Sequence, residues 1–253
     1  MRKHARTWAG ALGVTLLCVS MAACEGPGKG EERTESKTFT FSGDKLTVDA
    51  GNSDVRLRTD STGGEVRVSR TVEGEAGKDG NSRWELTGST LSLQTECHGI
   101  SISCAARYTV TLPKDMAVSL TSSNGAVDSV GLTQSQEISS SNAAVKVENA
   151  SGDVRLKVRD GNAEAIGISG GQLAAETRNG RLKVVFTEPP RKVTASTDNG
   201  NVNVTLPAGG DRYQVRVDAE NGRAESSVKD TPGAERTVDV RSNNGSARVD
   251  QAD

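Results

Sequence analysis

Aromatic side chains are scarce, at 3% of the 253 residues, and apolar residues reach only 34%. A large core built on bulky rings is thereby excluded, and any interior must be made from Val, Leu, Ile and Ala. An excess of charge of one sign is also lacking. With 31 basic and 33 acidic residues the formal net charge is -2, which leaves no footprint for nucleic acid, whose recognition demands a clearly basic face. Long apolar runs are missing beyond the N-terminus, so no integral membrane domain is expected.

The N-terminal segment itself reads as an export signal. Arg2, Lys3 and Arg6 precede an apolar stretch of 16 residues, Trp8 to Ala23, that ends in small side chains,. Met21-Ala22-Ala23-Cys24 resembles the lipobox of bacterial lipoproteins, in which the cysteine thiol accepts diacylglycerol and becomes the mature N-terminus. The resemblance makes residues 1–23 a signal and Cys24 a lipid anchor on the extracytoplasmic side of the bacterial cell membrane. The alternative is an ordinary secretory signal with a chance cysteine. Residues 24–37, rich in Gly, Glu and Lys with no apolar run, read as a flexible tether,. Removing the signal leaves 28 basic against 33 acidic residues, a mature charge of about -5.

Cysteine is rare in the remaining chain. Cys97 and Cys104 are an even pair in an exported protein and read as a disulfide closing a short loop,. Metal binding is the rival, but a site needs three or four ligands and His98 is the single histidine after the signal,. No metal and no cofactor is expected.

What the sequence does have is a repeat. Asn-Gly or a close variant recurs at Asn124, Asn142, Asp160, Asn179, Asn199, Asn221 and Asn244, in steps of 18, 18, 19, 20, 22 and 23 residues. A period near 20 points to a β-solenoid, parallel β-helix-like, with one turn of chain per repeat. Two and four positions before each Asn lie small or apolar residues, as at Ser122 and Leu120 or Thr197 and Ala195, and an alternating strand restarts three positions after it, as at Val202-x-Val204-x-Leu206,. Each repeat is therefore strand, corner, strand. The in-phase position of the Asn predicts an inward-pointing, buried column whose amides hydrogen-bond to one another at strand spacing, with the following Gly supplying a positive φ. An antiparallel meander of Asn-Gly hairpins is the competing arrangement.

One further copy, at Asn52, stands apart. Residues 38–112 read as an irregular N-terminal β portion that caps the regular repeats of 113–253, the whole forming one domain over 38–253.

The run Tyr108-Thr-Val-Thr-Leu-Pro113, with Val118-Ser-Leu-Thr-Ser-Ser-Asn-Gly125 and the later repeats through Val202, resembles the bacterial DUF4097 domain. That resemblance, over about residues 40 to 250, implies an adhesin-like protein with a β-solenoid fold. It carries no catalytic signature.

Enzyme chemistry finds little support in the residues. Of the aromatics after the signal, Tyr108, Phe186 and Tyr213 are in phase with core positions, leaving Phe39, Phe41 and Trp84 to stack on sugar rings. A serine nucleophile would need a base, and His98 falls in the proposed disulfide loop. Asp153, Asp160, Asp198 and Asp211 are dispersed over the repeats and form no calcium loop. The expected role is a non-catalytic envelope module, binding or structural, with Arg155, Lys157, Lys183 and Asn203 as exposed candidates. Its partners are the membrane, through the anchor, and an envelope glycan or membrane protein. A sensor or accessory subunit of an envelope-stress signalling system is the alternative, and a glycan-active β-helix enzyme the third reading.

Overall fold

The computed structural model describes residues 16–17, 32–60, 64–78, 80–96 and 104–252. Its N-terminal part contains β1 (Leu16–Leu17), β2 (Glu32–Thr40), β3 (Lys45–Gly51), β4 (Asp54–Asp60), β5 (Glu65–Gly74), β6 (Ser82–Thr87), β7 (Thr90–Thr95) and β8 (Cys104–Pro113). Seven strand pairs follow: β9 (Ala117–Ser122) with β10 (Val127–Val130), β11 (Gln136–Ser140) with β12 (Val145–Glu148), β13 (Val154–Asp160) with β14 (Ala163–Ile168), and β15 (Gln172–Asn179) with β16 (Leu182–Phe186). The last three are β17 (Lys192–Asn199) with β18 (Val202–Leu206), β19 (Tyr213–Asn221) with β20 (Ala224–Ser226), and β21 (Arg236–Asn244) with β22 (Ala247–Gln251).

The first strand of each pair lies in a ten-stranded sheet and the second in a twelve-stranded sheet. Neighbouring rungs are parallel and in register: Gln136 faces Val118 on one side and Val154 on the other, and Val145 faces Val127 and Ala163. Parallel pairing excludes the hairpin meander, because a two-residue turn can only join antiparallel strands. The chain is a β-solenoid whose two sheets enclose a slim core.

Alternation of side chains along each strand fills that core. Leu120, Ile138, Leu156, Ala175 and Ala195 come from one sheet and Val127, Val145, Ala163, Leu182 and Val202 from the other, all buried. Each Val or Leu removed from water contributes about 1.5–3 kcal/mol, and the slim interior admits few bulky rings, among them Tyr108 and Tyr213 near the ends and Phe186 in the middle of the stack.

The stacking order departs from chain order at the C-terminal end. β21 pairs with β17 on one side and β19 on the other, and β22 likewise lies between β18 and β20. The last rung in sequence is thus the penultimate rung in space. Its inward residues Val238, Val240, Ala247 and Val249 are all buried, whereas the end rung offers half-buried Val215, Val217 and Ala219 and a three-residue β20. The rung with the longer second strand, five residues in β22 against three in β20, takes the position covered on both sides,.

At the other end, β3 and β4 form a complete rung on β9 and β10, with Asn52 at its corner. Residues 65–112 close that end: β8 lies parallel to β4, β5 and β2 follow antiparallel, and β7 and β6 extend the ten-stranded sheet. Strand β2 corrects one boundary. Glu32–Lys37, expected in the tether, belong to a strand paired along its length with β5. Its polar composition concealed it, since strands near a sheet edge keep charged side chains in water.

Candidate functional site

The corner residues form one continuous ladder. Asn124 Nδ2 donates to Asn52 Oδ1 at 2.6 Å, Asn142 to Asn124 at 3.0 Å, Asn179 to Asp160 at 2.6 Å and Asn199 to Asn179 at 2.8 Å. It continues through Asn244 to Asn199 at 2.9 Å and Asn221 to Asn244 at 3.0 Å. In each of these six bonds the donor stands on the rung nearer the C-terminal end of the stack. Asp160 has no amide to offer Asn142, and Arg159 fills the gap, donating to Asn142 Oδ1 at 3.2 Å and Asp160 Oδ2 at 3.1 Å. The bond from Asn179, followed by that from Arg159, holds the Asp160 carboxyl below its ordinary pKa,.

The ladder is on the outside, contrary to the buried column expected from strand phase. All its Asn residues are exposed and Asp160 is half-buried. Alternation stops one residue early: Ser122 is buried, then Ser123 and Asn124 both face solvent as the chain bends out of the pleat. The polar group that does go inside is the hydroxyl two positions before the Asn. Ser122 Oγ donates to the Gly125 carbonyl at 2.6 Å, Ser140 to Ala143 at 3.0 Å and Ser242 to Gly200 at 2.9 Å. Thr177 and Thr197 reach Gly161 and Gly180, each at 3.3 Å. These hydroxyls satisfy corner carbonyls that would otherwise be buried without a donor.

The glycines answer mainly to crowding. A Cβ on Gly180 would lie 1.9 Å from the Gly161 carbonyl oxygen, on Gly200 2.0 Å from that of Gly180, and on Gly245 1.9 Å from that of Gly200. Gly125 and Gly222 share this crowding without a positive φ, so the φ expected at every corner is not the common requirement.

The two sheet faces differ in how their charges are used. On the twelve-stranded sheet the register aligns Arg56, Asp128, Lys146, Glu164 and Lys183 in one column of alternating sign. Its members pair locally: Arg56 with Asp128 at 3.1 Å, and Lys146 with Glu148 at 2.9 Å, which keeps the Lys146 ammonium above its ordinary pKa. The ten-stranded sheet carries an open hollow of about 530 Å³ where β3, β9, β11, β13, β15 and β17 begin, lined by Lys45, Glu137, Asp153, Arg155, Gln172 and Lys192 among others. Lys45 lies 3.7 Å from Glu137, and Gln172 donates to Asp153 at 3.4 Å. Arg155 and Lys192 make no ion pair among the described residues. Of the expected surface candidates, Arg155 and Lys157 stand on this sheet and Lys183 and Asn203 on the other, so the four do not form one patch.

The N-terminal end holds a cluster that sequence reading missed. Arg70, only 8% exposed, binds the Glu35 carboxylate, donates to the Ser82 carbonyl at 3.1 Å and hydroxyl at 2.8 Å, and stacks 4.6 Å from the Trp84 ring. Lys37 stands 5.0 Å from the centre of Phe39. The signal was present in Val66, Val68, Arg70 and Val72, an arginine in inward phase,. The cluster plugs the solenoid end with stacked cation and ring.

Cys24, Cys97 and His98 lie outside the described residues; Cys104 opens β8. Gly167-Ile168-Ser169-Gly170-Gly171 has the spacing of a nucleophile elbow. Ser169 occupies a turn between β14 and β15 rather than a strand-to-helix turn, and no histidine lies among the described residues,. Asp153 lines the hollow, Asp198 accepts from Asn243 at 3.1 Å and Asp211 pairs with Arg236 at 3.1 Å. Among the described residues no three His, Cys, Asp or Glu side chains are grouped to hold a metal, and no helix is long and apolar enough to cross a membrane.

Parallel rungs in register, two sheets and a corner ladder define the class as a β-solenoid. The profile of the family described as Toastrack DUF4097 matches residues 133–252. No curated protein matches the sequence. Among solved structures, a protein from Clostridium sporogenes provisionally designated a cell adhesion protein is 10% identical, with a TM-score of 0.38 over 88% of this chain and 100% of its own. A provisionally designated adhesin from Bacteroides fragilis is 14% identical, with a TM-score of 0.42 over 87% of this chain and 97% of its own. Another from Parabacteroides distasonis is 13% identical, with a TM-score of 0.37 over 88% and 98%.

Proposed function

We propose that the protein is exported, anchored at Cys24 to the outer side of the cell membrane, and acts as a non-catalytic module that binds an acidic, hydroxyl-bearing envelope polymer. The observation that carries this reading is the hollow on the ten-stranded sheet. Lys45, Arg155 and Lys192 line it at intervals of two or three strands, and Arg155 and Lys192 make no ion pair among the described residues, so a polyanion lying across the sheet gains charge-assisted bonds at little cost in broken ion pairs,. The backbone beneath is locked by parallel hydrogen bonding on both sides, which lowers the ordering cost of binding. The opposite face neutralises itself and offers less.

Anchoring is supported by the small residues before Cys24 and by the basic and apolar segments before them. The proposed Cys97–Cys104 disulfide fits the oxidising compartment that export implies. Labelling cells with an alkyne fatty acid tests the anchor: the wild-type chain takes up label and fractionates with membranes, and Cys24→Ala does neither. Membrane retention of Cys24→Ala removes this part of the reading.

A further inference from the structure

The two ends of the solenoid are finished differently. The N-terminal end is closed by antiparallel strands and the Arg70–Trp84 stack, whereas the C-terminal end stops at β19, whose inner side chains beyond the buried Tyr213 are half-buried. Val215, Val217 and Ala219 occupy positions whose counterparts on β21, Val238, Val240 and Ser242, are fully covered. The segment after β20 shields only the start of the edge: Thr231 N donates to the Tyr213 carbonyl at 2.8 Å and Val215 N to Asp230 Oδ1 at 2.9 Å. These bonds also show that odd-numbered residues turn their peptide groups outward. The strand order therefore leaves the Val215 carbonyl and both peptide groups of Val217 and Ala219 without a neighbouring strand on that side.

We infer that this end is an interface for a second copy of the chain, in which the two β19 strands pair antiparallel about Val217. The free edge from Val215 to Ala219 is centred on that residue. Its outer face is self-complementary, since the pairing sets Arg216 against Asp218 of the second copy and Asp218 against its Arg216, while Val215 meets Ala219 on the inner face. The same checkerboard already exists inside the chain, where Arg216 is opposite Asp239 and Asp218 opposite Arg241. Arg216 and Asp218 are held together at 2.6 Å with their side chains 65% and 48% exposed. Other registers lose the match. Centring on Asp218 places the two Asp218 carboxylates side by side, and centring on Ala219 opposes Asp218 with Glu220. The contact covers the half-buried valines and removes an open parallel edge, and as a two-fold contact it closes at the dimer.

Sedimentation of the full chain in detergent tests this, with Arg216→Asp and Asp218→Arg as variants whose folding is checked by circular dichroism. The wild type is expected to dimerise reversibly. Each variant alone opposes like charges and is expected to self-associate at least about tenfold more weakly, a difference of about 1.4 kcal/mol. Mixing the two variants faces two acidic positions with two basic ones and is expected to restore the dimer. A wild type that stays monomeric up to about 100 μM, where a micromolar contact would be saturated, overturns the inference. So does self-association that both variants leave unchanged, mixing that restores nothing, or a wild type that grows beyond the dimer.

Discussion

Asn244 Nδ2 donates to Asn199 Oδ1 at 2.9 Å across 45 residues of sequence. That bond shows that the corner ladder follows the order of rungs in space, because the rung of Asn221 comes between these two residues in sequence and yet stacks outside Asn244. The ladder, the buried hydroxyls and the glycine column are three views of one corner, and each bears on how the rungs are held in register.

Asn199 both donates and accepts within the ladder. Replacing it with Ala removes two exposed hydrogen bonds and is expected to cost about 1 kcal/mol, the low end for a pair of bonds open to water. Urea unfolding of Asn199→Ala against wild type reads this; no shift in midpoint would show that the exposed amides do not stabilise the stack.

Gly200→Ala sets a methyl against the Gly180 backbone, which cannot swing aside as a side chain could. A loss of about 3 kcal/mol is expected, at the upper end of overpacking costs. A methyl at Gly210 would meet nothing within 4 Å, so Gly210→Ala is expected to leave thermal stability unchanged. Equal effects at the two positions would contradict the crowding argument.

Asp160 should make stability depend on pH. Its native pKa lies below the ordinary carboxylate value because Asn179, then Arg159, bind the ionised form. The unfolded chain therefore takes up the proton first as pH falls. The contribution is complete above the ordinary carboxylate pKa and fades as pH drops through the lowered native value. Asp160→Asn abolishes that component, so the stability difference between the two proteins should shrink on acidification. A difference that stays constant from neutral to strongly acid pH would rule out this linkage.

Sequence periodicity disclosed the solenoid because a period-two pattern and a corner every rung are written directly in residues such as Leu120, Ser122 and Asn124. It failed at the corner itself: counting by twos puts Asn124 inside, but the bend at Ser123 breaks the count, and only the backbone shows where the pleat ends. The exchange of the last two rungs was not legible, since Tyr213, Val215, Val217 and Ala219 of the end rung alternate at least as fully as Val238 and Val240 of the rung inside it. Lys45, Arg155 and Lys192 stand far apart in sequence, and only parallel register places them around one hollow. Arg70 and Glu35 meet because β2, read as tether, is a strand.

Cosedimentation with purified anionic cell-wall polymer tests the central claim most directly, with the protein compared to a Lys45→Ala, Arg155→Ala, Lys192→Ala triple variant of unchanged thermal stability. The account predicts salt-sensitive binding by the wild type that weakens at least about tenfold in the triple variant, with the polymer recovered intact. Equal binding by both proteins, or steady release of polymer fragments by the wild type, would contradict it.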